Sequence, residues 1–218
     1  MTLHYPFQIT IDRQVGSGGA ELGQRIAARL GFAYLDRQIL QQAAQELGTS
    51  EEQLADRNER VQSFWVRMMA SFSADSPEHL ICTPPFQIIS DDALIEAEQK
   101  VMVRLARRGS CVIVGRCGFH LLAGVAPMLN VFVHASRPFR VERMIRHYAA
   151  ADERAAEAMI DEMDRTRERY VERVSRVLWY DVRNYHLSFD LSQIGCDAAE
   201  EMVVSQANRL IREAAPAS

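Results

Sequence analysis

The sequence predicts an α/β fold: a five-stranded parallel sheet between two layers of helices. Three observations carry this. Short apolar runs alternate with longer segments of helical periodicity, the order that builds successive β-α-β units. One of the runs, Cys111-Val112-Ile113-Val114, is apolar at every position, as expected of a strand buried on both faces of a parallel sheet. The first strand-to-helix junction carries the glycines Gly16, Gly18 and Gly19, and a glycine turn entering a helix aims backbone N–H groups and the helix N-terminus at an anion such as phosphate.

Taken in order, Phe7, Ile9 and Ile11 alternate in a first strand over residues 7–12. Leu22, Ile26, Ala27 and Leu30 then recur at helical spacing, and Gly31 stands where a helix C-cap belongs. Residues 32–35 form a second strand ending at Asp36. Ile39, Leu40, Ala43, Ala44 and Leu47 read as a helix closed by Gly48, and Ser50 to Gln53 has capping-box spacing for another. That helix carries the stripe Val61, Phe64, Trp65, Met68 and Met69, which suits a core face or the contact of a homodimer. Residues 72–90, with Pro77, Pro84 and Pro85, read as a loop. Ser90-Asp91-Asp92 caps a helix through Leu94, Ile95, Glu98, Val101, Met102 and Leu105 that ends near Gly109. Strands follow at 111–114 and 129–134, then a long arginine-rich helical region, a strand at 186–191 and a closing helix with Met202, Val203, Ala207 and Leu210.

Composition narrows the classes. At 218 residues with 48% hydrophobic and 25% charged content, one large domain, or one domain with an inserted helical part, is expected. No apolar run reaches the roughly 18 residues of a membrane span, and the N-terminus lacks the layout of a signal peptide. Cys82, Cys111, Cys117 and Cys196 show no metal or disulfide spacing, so a cytoplasmic protein with reduced thiols is the expectation. A net charge of −4 argues against a duplex nucleic-acid partner. Lys100 is the only lysine among 25 basic residues. Any fixed charge on a phosphate is therefore expected from arginine, whose planar fork suits bidentate contact.

Two phosphate motifs compete for the glycine turn. The dinucleotide fingerprint G-x-G-x-x-G takes Gly16 and Gly18 but meets Glu21 at its third glycine, with Asp36 near the position of a ribose-binding acid. The P-loop G-x-x-x-x-G-K-[ST] takes Gly18, but its first glycine falls on Arg13, its lysine on Gly19 and its hydroxyl on Ala20.

The stretch ITIDRQVGSGGAELGQRIAARLGFAYLDRQIL resembles the opening of the cytidylate kinase-like family. Asp12, Arg13, Gln14, Gly16 to Gly19, Glu21, Leu22 and Gly23 match it, while Val15 replaces the family's aromatic residue and Ala20 its arginine. VIVGRCGFHLL resembles the monophosphate-side motif of cytidylate kinases, with Cys117 in place of the acid after Arg116. Asp164 and Arg167 in MDRTRERY match the D-x-x-R of the kinase lid, whose preceding arginine is Ile160 here. Arg140 and Arg143 resemble the helix opening the lid region, and Asn184-Tyr185, Leu187, Asp190 and Leu191-Ser192 fit the last strand and the loop near the donor base. The likeness covers residues 7–40 and 111–205.

The resemblance implies a three-layer α/β/α P-loop NTPase fold in a single domain, with a helical insertion at about 41–110 and a lid at about 150–183. It implies ATP and Mg²⁺ as cofactors and a (d)CMP-type acceptor. Gly16, Ser17, Gly18, Gly19, Ala20 and Glu21 would hold the donor phosphates through their backbone, with Arg143 on the nucleotide side. Asp36, Arg37, Arg116 and Asp164 would serve the acceptor, and Arg13, Arg116 and Arg167 would be the catalytic cations. The missing lysine, Ala20, Cys117 and Ile160 favour the alternative, a nucleotide-binding pseudokinase acting as a sensor or dimeric scaffold.

Overall fold

The computed structural model describes residues 6–36, 39, 42 and 91–214, and elements are numbered over these. Strands β1 (Gln8–Arg13), β2 (Ala33–Leu35), β3 (Cys111–Val114), β4 (Met128–His134) and β5 (Leu187–Asp190) form one parallel sheet in the order β2-β3-β1-β4-β5. Its helices are α1 (Gly19–Leu30), α2 (Asp91–Arg108), the single turn α3 (Gly118–Leu121), α4 (Arg137–His147), α5 (Glu153–Ser175) and α6 (Leu191–Ala214). The order places β1 between β3 and β4, so the chain leaves β1 and β3 on different sides, and the cleft beyond their carboxyl ends is where α/β sheets receive ligands.

Two cores cover the sheet. On one face Phe7, Ile9, Ile11, Val112 and Val131 meet Leu22 and Ile26 of α1 and Ala199, Val203 and Ala207 of α6. On the other, Ile113 and Phe132 meet Val101 and Met102 of α2, Tyr170 and Val171 of α5, and Trp179. The alternation in β1 follows from this, but its polar positions are also buried. Gln8 Nε2 donates to the carbonyl of Ala106 at 2.8 Å, its Oε1 accepts the N–H of Cys111 at 3.2 Å, and Thr10 Oγ1 donates to Asn130 Oδ1 at 2.8 Å. Satisfied partners let these polar groups lie inside.

A third cluster, Val15, Val141, Met144, Tyr148, Ala156 and Ile160, packs α4 and α5 against the glycine turn. The position of the lid arginine is thus a core residue. The arginine-rich region divides into α4 and α5 at Ala149, whose φ of 53° is left-handed. The closing helix begins earlier than expected, at Leu191, and kinks at Gly195. Strand boundaries otherwise move by one residue or so, with one consequence: β1 continues through Arg13, which pairs with Val133. Gly31 caps α1 in the left-handed conformation, with φ 68°. The aromatic and methionine stripe at 61–69, the proline-containing loop and Arg37 lie outside the described residues. Among the described residues no helix is long and apolar enough to cross a membrane, and Cys111, Cys117 and Cys196 are free thiols.

Candidate active site

β1 delivers Asp12 and Arg13 to the carboxyl edge of the sheet, and residues 14–18 turn into α1. Ser17 closes the turn, donating from Oγ and from its backbone N–H to the carbonyl of Gln14 at 2.8 and 3.3 Å. Gly16 has φ 72°, and a Cβ on it would lie 3.0 Å from the carbonyl oxygen of Arg140, so both conformation and space require glycine. Gly18 is the N-cap of α1 with φ 91°, and no side chain caps the helix. The first N–H groups of an α-helix have no intrahelical acceptor, so this turn presents a set of donors to an anion.

The turn is pinned from the α4–α5 side. Arg140 Nε donates to the carbonyl of Val15 at 2.7 Å, and the N–H of Val15 donates to Asp164 Oδ1 at 2.8 Å. Arg140 and Asp164 close the ring with an ion pair between Nη2 and Oδ2. Burial pushes the Asp164 carboxyl up, with Arg140 and Arg167 opposing. Both backbone polar groups of Val15 are thereby held by side chains from distant sequence. Asp164 was expected beside an acceptor; the structure places it on Arg140 and Val15.

Arg13 is 1% exposed. Its stem lies under Gly19, where an added Cβ would meet Arg13 Cβ at 2.6 Å. Arg167 Nη1 donates to the carbonyl of Arg13 at 2.9 Å, bringing the expected lid arginine to the end of β1. Asp12, on the opposite face, accepts from Tyr185 Oη at 3.4 Å. Burial pushes its carboxyl up to about 6, against the pull of Arg13, Tyr185 and Arg167.

At the end of β3, Gly115, Arg116 and Cys117 are successively left-handed, with φ of 75°, 56° and 57°. The N–H of Gly115 donates to the carbonyl of Ile11 at 2.8 Å, holding this corner against β1. Arg116 points inward. Its Nε donates to the carbonyl of Asp36 at 3.2 Å, and its Nη1 pairs with Glu98 of α2. Tyr170 Oη of α5 donates to the other Glu98 oxygen at 3.0 Å. Burial pushes the Glu98 carboxyl up, with Arg116 and Tyr170 opposing. The structure therefore brings Arg116 to the backbone of Asp36 and adds Glu98 and Tyr170. Glu98 had a signal: it is the one acid on the apolar stripe of α2 formed by Ile95, Val101, Met102 and Leu105.

Arg143 of α4 reaches the mouth of the turn. Its Cζ lies 3.7 Å from where a Cβ on Gly18 would stand, and Nη2 donates to Glu21 Oε2 at 3.1 Å. Gly18, Glu21 and Arg143 are thus brought together. Near Gln14 at the start of the turn, Tyr180 meets Trp179 at a tilt and Phe132 edge-on, with ring centroids 4.7 and 5.8 Å apart. Trp179 and Tyr180, between α5 and β5, were not expected as part of the site. Asp190, at the end of β5, accepts the N–H of Ser192 at 2.9 Å and serves the start of α6.

Among the described residues no cluster of three or more His, Cys, Asp or Glu could hold a metal unaided. A Mg²⁺ ion here would depend on phosphate oxygens and water, since Ala20 offers no hydroxyl.

Comparison with known proteins bears on this geometry. The family model described as "Cytidylate kinase-like family" matches residues 8–193. No curated protein matches the chain. The crystal structure of an uncharacterised protein from Eubacterium ventriosum superposes with a TM-score of 0.66 at 19% identity, over 93% of this chain and 98% of that one. A shikimate kinase from Bacteroides thetaiotaomicron superposes with a TM-score of 0.51 at 10% identity, over 93% and 98% of the two chains. At these identities the likeness is one of fold.

Proposed function

This chain belongs to the cytidylate kinase-like family, and from that premise we propose that it is an ATP-dependent nucleoside monophosphate kinase with a (d)CMP-type acceptor. Family and fold are of the nucleotide and small-molecule kinase kind. The observation that supports the donor side of the reading is the uncapped N-terminus of α1 behind the glycine turn, at the switch point of the sheet; the (d)CMP acceptor rests on the family alone.

ATP, when bound, would supply the phosphoryl group, and Mg²⁺ would neutralise charge on its phosphates. The residues of the chain bind and orient. Backbone N–H groups of Gly18 to Glu21 hold the donor phosphates, and Arg143 adds charge at the mouth. Arg167 sits on the carbonyl of Arg13, close enough in space to the turn to respond to charge arriving there. Arg116 and Asp36 shape the acceptor side. Because the turn is braced by Arg140 and Asp164, its donors need little reorganisation when a phosphate arrives, the condition for electrostatic stabilisation of a transferring group.

The test is a turnover assay with ATP and Mg²⁺ against a full panel of nucleoside monophosphates, pyrimidine and purine, ribose and deoxyribose. Turnover highest with CMP or dCMP supports the reading; turnover with another acceptor corrects its substrate. One observation favours the non-catalytic alternative: Arg116 is paired with Glu98 and 1% exposed. ATP binding without turnover of any acceptor would select that alternative.

A further inference from the structure

The P-loop pattern has glycine at its first position and lysine at its seventh, directly after its second glycine. In this chain those two residue types are exchanged: Arg13 stands at the end of β1 and Gly19 opens α1. The exchange is steric as well as chemical. A Cβ at Gly19 would lie 2.6 Å from Arg13 Cβ, 2.9 Å from Arg13 Cγ and 3.3 Å from Val133 Cβ. The backbone of Gly19 is not in the left-handed region, unlike Gly16 and Gly18, so its glycine answers to space and not to conformation. The stem of Arg13 therefore fills the volume from which a lysine at position 19 would start.

Around the turn, Arg140 is attached to Asp164 and Val15, Arg116 to Glu98 and Arg143 to Glu21. Arg167 holds the Arg13 carbonyl. Arg13 is the strongest cationic influence on Asp12, so its charge is felt at the carboxyl edge of the sheet, where the turn begins.

We propose that the phosphate-binding cation has been moved from helix to strand: Arg13, crossing Gly19, supplies the charge that a P-loop lysine supplies from the helix. The ligand is the diphosphate portion of a nucleoside di- or triphosphate. Arg13 and Gly19 act as one unit, in which the stem of Arg13 is incompatible with a lysine at position 19. The proposal rests on the nucleotide kinase reading above.

The experiment measures binding, not turnover. Calorimetric titration of the full chain with ADP and with inorganic pyrophosphate, beside the ligand-free melting temperature, is carried out for wild type, Arg13→Met, Gly19→Lys and the double variant Arg13→Gly/Gly19→Lys. Arg13→Met keeps an apolar stem over Gly19 and removes only the charge. It should retain its melting temperature within a few degrees and lose at least about tenfold in affinity for both ligands, the scale of one charge-assisted hydrogen bond. Gly19→Lys should melt lower because Arg13 blocks it. The double variant should recover the melting temperature lost in Gly19→Lys and bind both ligands more tightly than Arg13→Met. A folded Arg13→Met protein with wild-type affinity overturns the proposal and leaves the kinase reading standing. So does a folded double variant that binds no better than Arg13→Met. A wild-type chain that binds neither ligand overturns both.

Discussion

The guanidinium of Arg116 pairs with the carboxylate of Glu98 where neither side chain is more than 1% exposed. The pair joins the end of β3 to α2, Tyr170 adds α5, and the Asp36 carbonyl adds the end of β2. Breaking a buried pair from one side leaves the other charge uncompensated, a cost of about 3–5 kcal/mol. Glu98→Ala should lose that much in urea unfolding, and Tyr170→Phe about 1–3 kcal/mol, as for a hydrogen bond to a charged group. Removing both charges in Glu98→Leu/Arg116→Leu should cost less than Glu98→Ala alone. A double variant less stable than the single one would show that the pair is a net stabiliser and not a self-cancelling one.

Asp164 has two separable roles at Val15 and Arg140. Asp164→Asn can still accept the N–H of Val15, now 2.8 Å from Oδ1, but loses the charge opposite Arg140. Asp164→Ala loses both. The expected order of melting temperature is wild type, Asn, Ala, with the Ala variant lower than wild type by at least about 5 °C, given that 1 kcal/mol moves a chain of this size by about 2–4 °C. ADP affinity should fall in the same order, because the turn loses its brace. Equal melting temperatures for Asn and Ala would remove the backbone contact from the account.

Much of this arrangement was legible in the chain. The strand, turn and helix around Gly16 to Gly19 follow from alternation, glycine and helical spacing, and Asp164 and Arg167 could be placed on one helix face from their spacing. What they touch could not. Asp164 meets Val15 across 149 residues, and Arg167 meets the Arg13 carbonyl across 154; only packing of α5 onto the sheet brings them there. The burial of Gln8, Thr10 and Asp12 was hidden for a related reason. Alternation in a strand normally marks a wet face, and here the polar side chains find partners inside. Glu98 was visible as a charge on an apolar stripe, but its partner depends on the left-handed backbone at Arg116.

Asp12 sets a pH dependence. Burial raises its carboxyl from 3.8 to about 6, so the folded state holds the proton more tightly than the unfolded chain. Stability from this group is therefore full below about pH 4, is lost as pH rises to about 6, and changes little beyond. The difference amounts to about 3 kcal/mol. Glu98 and Asp164 shift in the same direction, so wild type alone cannot isolate Asp12. Asp12→Asn removes its titration. The unfolding free energy of the variant minus that of wild type should rise by up to about 3 kcal/mol between about pH 4 and pH 7. A difference that stays constant across that range would refute the assignment.

Glu21 and Arg143 face each other across the mouth of the turn, 3.1 Å apart, with side chains 50% and 22% exposed. An exposed pair contributes little to stability, so Glu21→Gln should leave the melting temperature nearly unchanged. Its effect on binding should be larger and opposite to that of most site substitutions. Glu21 lies in the first turn of α1, where a carboxylate gains from the positive end of the helix, and an incoming phosphate draws on the same N-terminus and the same arginine. In Glu21→Gln the competitor is gone, so ADP affinity should rise by about two- to fivefold, the worth of one charge near a helix N-terminus. Arg143→Gln should weaken ADP by a similar factor or more, and both effects should shrink at high salt. Adenosine, which has no phosphate, should bind the variants and wild type alike. A Glu21→Gln protein that binds ADP more weakly than wild type would mean that the carboxylate orients Arg143 for the ligand instead of competing with it.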